Sequence, residues 1–320
     1  MRLTNNEDIP LPLAVWLSYD SYDFIGGKNR ISVTSLLKST RQFVLSARVP
    51  MSERSHDVSD FIASRMGHAF HDSIEMAWLH GHKEALNKLG YPEKIIERIK
   101  INPDPATVGP DDIPVYMEQR VEREIEGFVV SGKFDMVIEG QIFDVKSTSV
   151  YSVIMGSKEE DYTLQASYYR WLSPDLITSD TVHIQHIFTD WSRAASKQQK
   201  NYPPSRLMNN TYELIPLDQS ENMIRTKIKE IKDNWNKPES ELPFCTDKEL
   251  WRSEPAYKYY ADPNKTDGRS TKNFDNLAEA NQFKADKGKG IVLTIPGKVK
   301  ACNYCVAFDI CKQKDLYDHD

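Results

Sequence analysis

The chain has 320 residues, of which 39% are hydrophobic and 28% charged. That is enough apolar material for about two cored domains, and it excludes a disordered chain. No apolar run reaches the ~20 residues that a spanning helix needs. A net charge of −6 gives no general attraction for nucleic acid, although a local basic groove can act inside an acidic protein. The opening segment, Met1-Arg2-Leu3-Thr4-Asn5-Asn6-Glu7-Asp8, lacks the basic-then-apolar layout of a signal peptide, so a cytoplasmic protein is the expectation.

Along the chain, Lys28, Arg30, Lys38, Arg41 and Arg48 occur with no acid between Phe24 and Ser52. This is either a solvated helix face or a basic groove. Residues 29–100 read as mainly helical, with an apolar stripe at Phe70, Ile74, Ala77 and Trp78. Residues 101–114 hold four prolines and read as a linker. From 115 to 146 the pattern changes to short β-rich runs. Helix returns over 161–171, residues 181–188 alternate like a strand, and 212–217 suggest another. Residues 197–206 form a polar loop with Pro203-Pro204, and 218–235 form an amphipathic helix. Residues 254–276 are rich in Lys, Asp, Asn and Tyr and poor in aliphatics, which predicts irregular structure. The organisation is therefore a helical region at 1–110, a mixed core at 111–240 and a cysteine-bearing region at 241–320.

Chemistry concentrates in the core. Gly132-Lys133-Phe134-Asp135 is followed nine residues later by Asp144-Val145-Lys146. A two-residue turn at Glu139-Gly140 sets the register so that Asp135 faces Asp144. Lys146 shares the face of Asp144, because side chains two apart on a strand point the same way. Opposed Cβ atoms stand roughly 4.5–5.5 Å apart, and two carboxylates that close repel unless a cation lies between them. The pair is a metal-site candidate, or else a buried Lys–Asp ion pair with a second acid at the rim. Upstream, Gly67, His71 and Glu75 are spaced four apart and line one side of a helix. Downstream, Gln165 and Tyr169 share a helix face, where an amide and a phenol can bind a phosphate or a base edge.

Read in order, these pieces are Gly-x-x-x-His, Gly-x-x-Asp, Asp-x-Lys and Gln-x-x-x-Tyr. The series resembles the RecB-like branch of the PD-(D/E)XK nucleases over roughly residues 30–190. The segment from Ile31 to Leu36 resembles that branch's opening helix. The resemblance implies an α/β fold: a mixed central β-sheet flanked by helices, the restriction-endonuclease-like core, with a helical N-terminal region. It implies that His71, Asp135 and Asp144 hold a divalent ion (Mg²⁺ or Mn²⁺), with the Val145 carbonyl as a further ligand. Lys146 would orient or activate the attacking water, and Gln165 and Tyr169 would contact DNA. Glu118 and Glu75 are possible accessory acids. Two carboxylates and a carbonyl suit Mg²⁺, and a histidine shifts preference towards Mn²⁺.

All four cysteines lie late: Cys245, then Cys302, Cys305 and Cys311. The close triplet resembles the iron–sulfur clamp at the C-terminal end of some RecB-like nucleases, including AddB and the CRISPR-associated spacer-processing enzymes. In those the fourth cysteine lies near the N-terminal helix, where this chain reads Leu37-Lys38-Ser39-Thr40-Arg41-Gln42-Phe43. Cys245 must substitute, so both a [4Fe–4S] cluster and a structural Zn²⁺ site stay open. Either would staple a Cys-rich C-terminal region poor in apolar residues. Trp251, Arg252, Tyr257, Lys258, Tyr259 and Tyr260 nearby read as a stacking surface or as packing around that site. No Gly-x-x-x-x-Gly-Lys-Ser/Thr loop is present, so no helicase motor is built in. The leading expectation is a metal-dependent DNA exonuclease of recombination, repair or phage DNA processing, with a recombination or single-strand annealing protein as partner. The alternatives are a catalytically silent DNA-binding scaffold and a site-specific endonuclease.

Overall fold

The computed structural model describes residues 2–19, 27, 29–156 and 158–317; Lys28 of the basic stretch lies outside them. In chain order the elements are β1 (Arg2–Thr4), α1 (Leu11–Ser18), β2 (Arg30–Ser32), α2 (Val33–Leu36), α3 (Thr40–Arg48), β3 (Ser55–Asp57), α4 (Ile62–Lys88), α5 (Glu93–Ile96), β4 (Ile99–Ile101), β5 (Ile113–Ile125), β6 (Phe128–Ile138) and β7 (Gln141–Thr148). They continue as α6 (Val150–Ile154), α7 (Glu159–Leu172), β8 (Thr181–Phe188), α8 (Arg193–Gln198), β9 (Leu207–Glu213), α9 (Leu217–Asn234), β10 (Ala256–Tyr260), β11 (Lys272–Phe274), α10 (Leu277–Lys287) and β12 (Ile291–Ile295). Two compact units result: residues 1–37 with 52–230, and residues 38–51 with 231–320. No described helix is long and apolar enough to cross a membrane.

The first unit is built on a mixed sheet in the order β4-β5-β6-β7-β8-β9, with β2 also paired to β6. β5, β6 and β7 form an antiparallel meander, while β7 and β8 run parallel. A parallel pair needs a crossover, and α6 and α7 supply it. Both meander turns are Glu-Gly pairs. Glu126-Gly127 and Glu139-Gly140 all have positive φ (53°, 73°, 48° and 81°), the geometry of a type I′ hairpin. The second turn sets Met136 opposite Phe143 and Val137 opposite Ile142, the register the sequence predicts. The long α4 packs Ile74 and Trp78 against Val115, Met117 and Met136. Ala77, expected in the same stripe, is exposed. Val137, Ile142, Val182 and Ile184 are fully buried, which is why these central strands carry few polar side chains.

Four expectations are refined or changed. Residues Ile31 to Leu36 do not form one helix: β2 pairs in parallel with Val129–Ser131, and only then does Ser32 cap α2 by accepting the Ser35 N–H. The proline-rich run joins β4 to its parallel neighbour β5. The strand expected at 212–217 lies earlier, at β9, because the alternation at Met208, Asn210 and Tyr212 pairs with β8. The basic stretch is not a free solvated face. Arg30 is ion-paired with Glu122, Arg41 is buried against Glu239, and Arg48 donates to the carbonyls of Trp235 and Lys237.

In the second unit, residues 254–276 are irregular as expected except at two strands, β10 and β11. β10 is the centre of a three-stranded antiparallel sheet with β11 and β12. Tyrosines rather than aliphatics give that strand its β propensity. Tyr259 is buried and meets Phe283 edge-on, with ring centroids 5.1 Å apart. Tyr259 and Tyr260 are thus packing residues, whereas Trp251 is exposed.

Gly132 links fold to site. A Cβ there would stand 2.6 Å from Tyr169 Cε1 and 3.0 Å from Leu172 Cδ1, so α7 seats directly on the strand backbone. Gly132→Ala should lower the unfolding free energy by about 1–3 kcal/mol, as overpacking of a filled core does. Urea denaturation measures this, and an unchanged midpoint would contradict the contact.

Candidate metal centre

The site forms where the sheet's ladders are interrupted. On one edge, β6 pairs with β2 at Val129–Ser131 and with β7 at Met136–Ile138, leaving 132–135 outside both ladders. On the other edge, pairing to β5 passes from Met117↔Met136 to Gln119↔Phe134, so Glu118 and Asp135 are skipped. Glu118 has φ 50°, a left-handed conformation that costs a non-glycine residue on the order of 1–3 kcal/mol. Asp135 replaces the missing ladder bond with its side chain: Oδ2 accepts the Val145 N–H at 2.8 Å.

Into this gap α4 places His71. The helix runs close to β7, since a Cβ on Gly67 would lie 3.4 Å from Ser147 Oγ. One turn on, His71 Nε2 stands 3.0 Å from the Val145 carbonyl oxygen. Its Nδ1 lies 3.4 Å from Asp135 Oδ1 and 3.7 Å from Glu118 Oε1. One ligand atom each from His71, Glu118 and Asp135 falls within a 4.8 Å span. Lys133 is ion-paired with Glu118, and Glu75 lies at the rim, its carboxyl pKa raised by burial and by Glu118.

Asp144 and Lys146 stand beside this group as a pair. Lys146 Nζ is 2.6 Å from Asp144 Oδ2, and Asp144 is 4% exposed. Asp144 Oδ2 accepts no hydrogen bond of good geometry despite that proximity. Burial raises the Asp144 pKa to about 6, with Asp135 adding to the rise and Lys146 opposing it. Burial works the other way on Lys146, but Asp144 and Asp135 outweigh it, so its pKa lies above the ordinary lysine value. That is opposite to the fall a lysine base would need. Asp135 shows the same contest: burial favours its acid form, yet His71 and Lys146 hold its pKa below the usual carboxylate value.

Of the expected ligands, the structure sets His71 beside Asp135 and the Val145 carbonyl, and it brings Glu118 to the same side of the ring as Asp135. It leaves the Asp144 carboxylate facing Lys146. Gln165 and Tyr169 lie on α7, where Gln165 Nε2 donates to the Tyr169 hydroxyl at 2.8 Å. Tyr169 is 5% exposed, so of the two only Gln165 reaches the surface. Sequence reading missed Lys133 as the partner of Glu118. It also missed His186, which is buried beside Lys146 in the β7–β8 register with no hydrogen bond to either ring nitrogen. The Thr-Val-His-Ile-Gln-His alternation of β8 was the available signal.

In the second unit, Cys245, Cys302, Cys305 and Cys311 line one small cavity with Arg41, Leu45, Leu250 and Ala307. No three of the sulfurs fall within 4.8 Å of one another, so they are not drawn into a tight ligand knot. Gln313 clamps Cys245, accepting its N–H and donating to its carbonyl, both at 2.9 Å. Burial, reinforced by the other three thiols, pushes the Cys302 thiol up to about 11.

No protein-family model matches the chain. No curated protein matches it either. Among solved structures, the crystal structure of SSO0001 is similar at a TM-score of 0.42 and 14% identity, covering 73% of this chain and 91% of that one. A phage-related exonuclease from Haemophilus somnus 129PT is similar at a TM-score of 0.26 and 14% identity, covering 62% and 93%. At these values neither similarity bears on the chemistry of the site.

Burial of the His71 ring opposes its charge, but hydrogen bonds to Asp135 and Glu118 prevail and raise its pKa to about 10. A divalent ion that takes His71 must displace that proton. Mn²⁺ affinity, measured by titration calorimetry, should rise about tenfold per pH unit between pH 7 and 9, one proton being released per ion. A flat profile over that range would remove His71 from the ligand set.

Proposed function

We propose that the chain is a divalent-metal-dependent DNA nuclease, acting as an exonuclease on ends or single strands. The observation that carries this reading is the convergence of His71, Glu118 and Asp135, with the Val145 carbonyl at the other ring nitrogen of His71, in the same unit as the Asp144–Lys146 pair. The order of motifs along the chain supports it independently. The donor set is one imidazole and hard oxygens, which fits Mg²⁺ or Mn²⁺. Asp144, whose Oδ2 lacks a well-formed hydrogen bond, is a further carboxylate electrostatically coupled to Asp135 and His71.

When bound, such an ion acidifies water and draws charge from the phosphoryl oxygen. The chain's own residues do the rest. Asp135 and Glu118 hold His71 by its Nδ1 edge. Asp135 also ties β6 to β7, fixing the Val145 carbonyl. Lys146 stays protonated, so its role is a positive charge placed against the pentavalent phosphate and a donor that orients the attacking water. Asp144 anchors that ammonium. Gln165 is placed to donate to a phosphate of the strand, with Tyr169 holding its amide in position.

We read the four cysteines as the ligands of a [4Fe–4S] cluster. The thiol pKa values of Cys245, Cys302 and Cys305 are raised chiefly by burial, so these thiols do not ionise without a cation beside them. Tetrahedral Zn–S bonds of ~2.3 Å place sulfurs about 3.8 Å apart, closer than any three stand here. A cluster that binds each thiolate at a different iron accepts the wider spacing.

Asp144→Asn and Lys146→Ala should each lower Mn²⁺-dependent degradation of end-labelled DNA by about 10²–10³-fold, with far-UV circular dichroism unchanged. Cleavage that survives both substitutions would overturn the site, and tight DNA binding by a wild type that never cleaves would favour a scaffold. Anaerobically purified protein should be brown and lose its visible absorbance in Cys302→Ser. A colourless protein with stoichiometric zinc would replace the cluster reading and leave the nuclease reading standing.

A further inference from the structure

At the start of α3, where the sequence lacks a cysteine, the four-thiol cavity is met by a buried guanidinium instead. Arg41 is 2% exposed. Its Nε donates to Cys311 Sγ at 3.2 Å. Its Nη1 donates to the carbonyls of Leu242 and Glu239 at 3.1 and 3.3 Å. Its Nη2 is ion-paired with the Glu239 carboxylate, and the guanidinium sits 5.4 Å from the Phe244 ring centroid. All of these groups belong to the second unit. One edge of the guanidinium is thus clamped by protein oxygens, and the remaining N–H is aimed at a sulfur.

That arrangement does more than staple α3 to residues 239–242. A guanidinium clamped only for structure would turn its last donor to an oxygen or to solvent. Here the donor meets a thiol, a weak acceptor in neutral form and a strong one as a metal-bound thiolate. Four thiolates around a divalent ion or a two-plus cluster core carry a net charge of minus two. Such sulfurs call for hydrogen-bond donors; Glu239 already matches the Arg41 charge, so what Arg41 supplies is its Nε donor to Cys311. Ser39 adds a second polar contact, its hydroxyl lying 3.1 Å from Cys245 Sγ.

We propose that Arg41 is the positioning residue of the four-cysteine site: through its hydrogen bond to Cys311 it fixes that sulfur as a ligand and sets the bound group's reduction potential. Hydrogen bonds to ligating sulfur and nearby positive charge both favour the reduced cluster. The inference rests on the cluster reading above.

The test uses full-length protein purified without oxygen. Arg41→Lys keeps a charge but loses the fork. It should retain the cluster, with a more negative midpoint potential by spectroelectrochemistry. Arg41→Gln should bind several-fold less iron per chain while far-UV circular dichroism is unchanged. Both variants holding a full complement of iron at the wild-type potential would overturn the proposal. If the variants do not fold, wild-type protein labelled with ¹⁵N-arginine decides: the reduced cluster should show hyperfine coupling to a guanidinium nitrogen, and its absence overturns the proposal. A wild type carrying zinc removes the cluster reading; release of zinc to a chelator should then be several-fold faster in Arg41→Gln, and an equal rate overturns the role of Arg41. A wild type with no metal removes both readings.

Discussion

The hydrogen bond from Val145 N–H to the Asp135 carboxylate is the constraint on which the first unit's site depends. It takes the place of a ladder bond at the point where β6 has left β2 and has not yet met β7. A backbone donor satisfied by a side chain leaves the strands paired but opens the sheet. The opening admits His71, exposes the Val145 carbonyl to it, and gathers three carboxylates: Glu118, Asp135 and Asp144. Those charges stay together because His71, Lys133 and Lys146 answer them one for one. Removing one cation would leave an uncompensated buried carboxylate, the costliest state in such a network. The left-handed Glu118 fits the same picture, as local strain retained where the surrounding structure fixes it.

Much of this was legible in the sequence because it follows from counting. A two-residue Glu-Gly turn fixes the register, and register fixes which side chains oppose each other. Helical spacing places Gly67, His71 and Glu75 along one side of α4. The position of Glu118 was not legible in the same way. A skipped residue that keeps the register leaves no trace in hydrophobic alternation, so its positive φ could not be read, and Glu118 entered only through the family resemblance, as an accessory acid rather than as a member of the candidate metal group. β2 was hidden because a three-residue parallel strand is shorter than any periodicity test resolves. Within the otherwise irregular 254–276 segment, β10 was hidden because it draws on tyrosine rather than on aliphatic residues.

The second unit shows how a region poor in apolar residues still acquires a core. Val44, Leu45, Leu242 and Ala307 pack with Phe43, Cys305 and Cys311, so two of the thiols are themselves part of the hydrophobic cluster. Arg41 adds a buried charge that is satisfied at every nitrogen. The basic stretch that sequence reading offered as a groove is thus spent largely on internal pairing, a distinction that charge counting cannot make.

The central claim is that His71, Glu118 and Asp135 form a divalent-ion site. Anomalous diffraction from crystals soaked in Mn²⁺ tests it most directly. The account predicts a peak among these three side chains and the Val145 carbonyl, at oxygen distances of about 2.1 Å, as for a small hard cation. Crystals that take up Mn²⁺ elsewhere and show no peak between α4, β5 and β6 would contradict it.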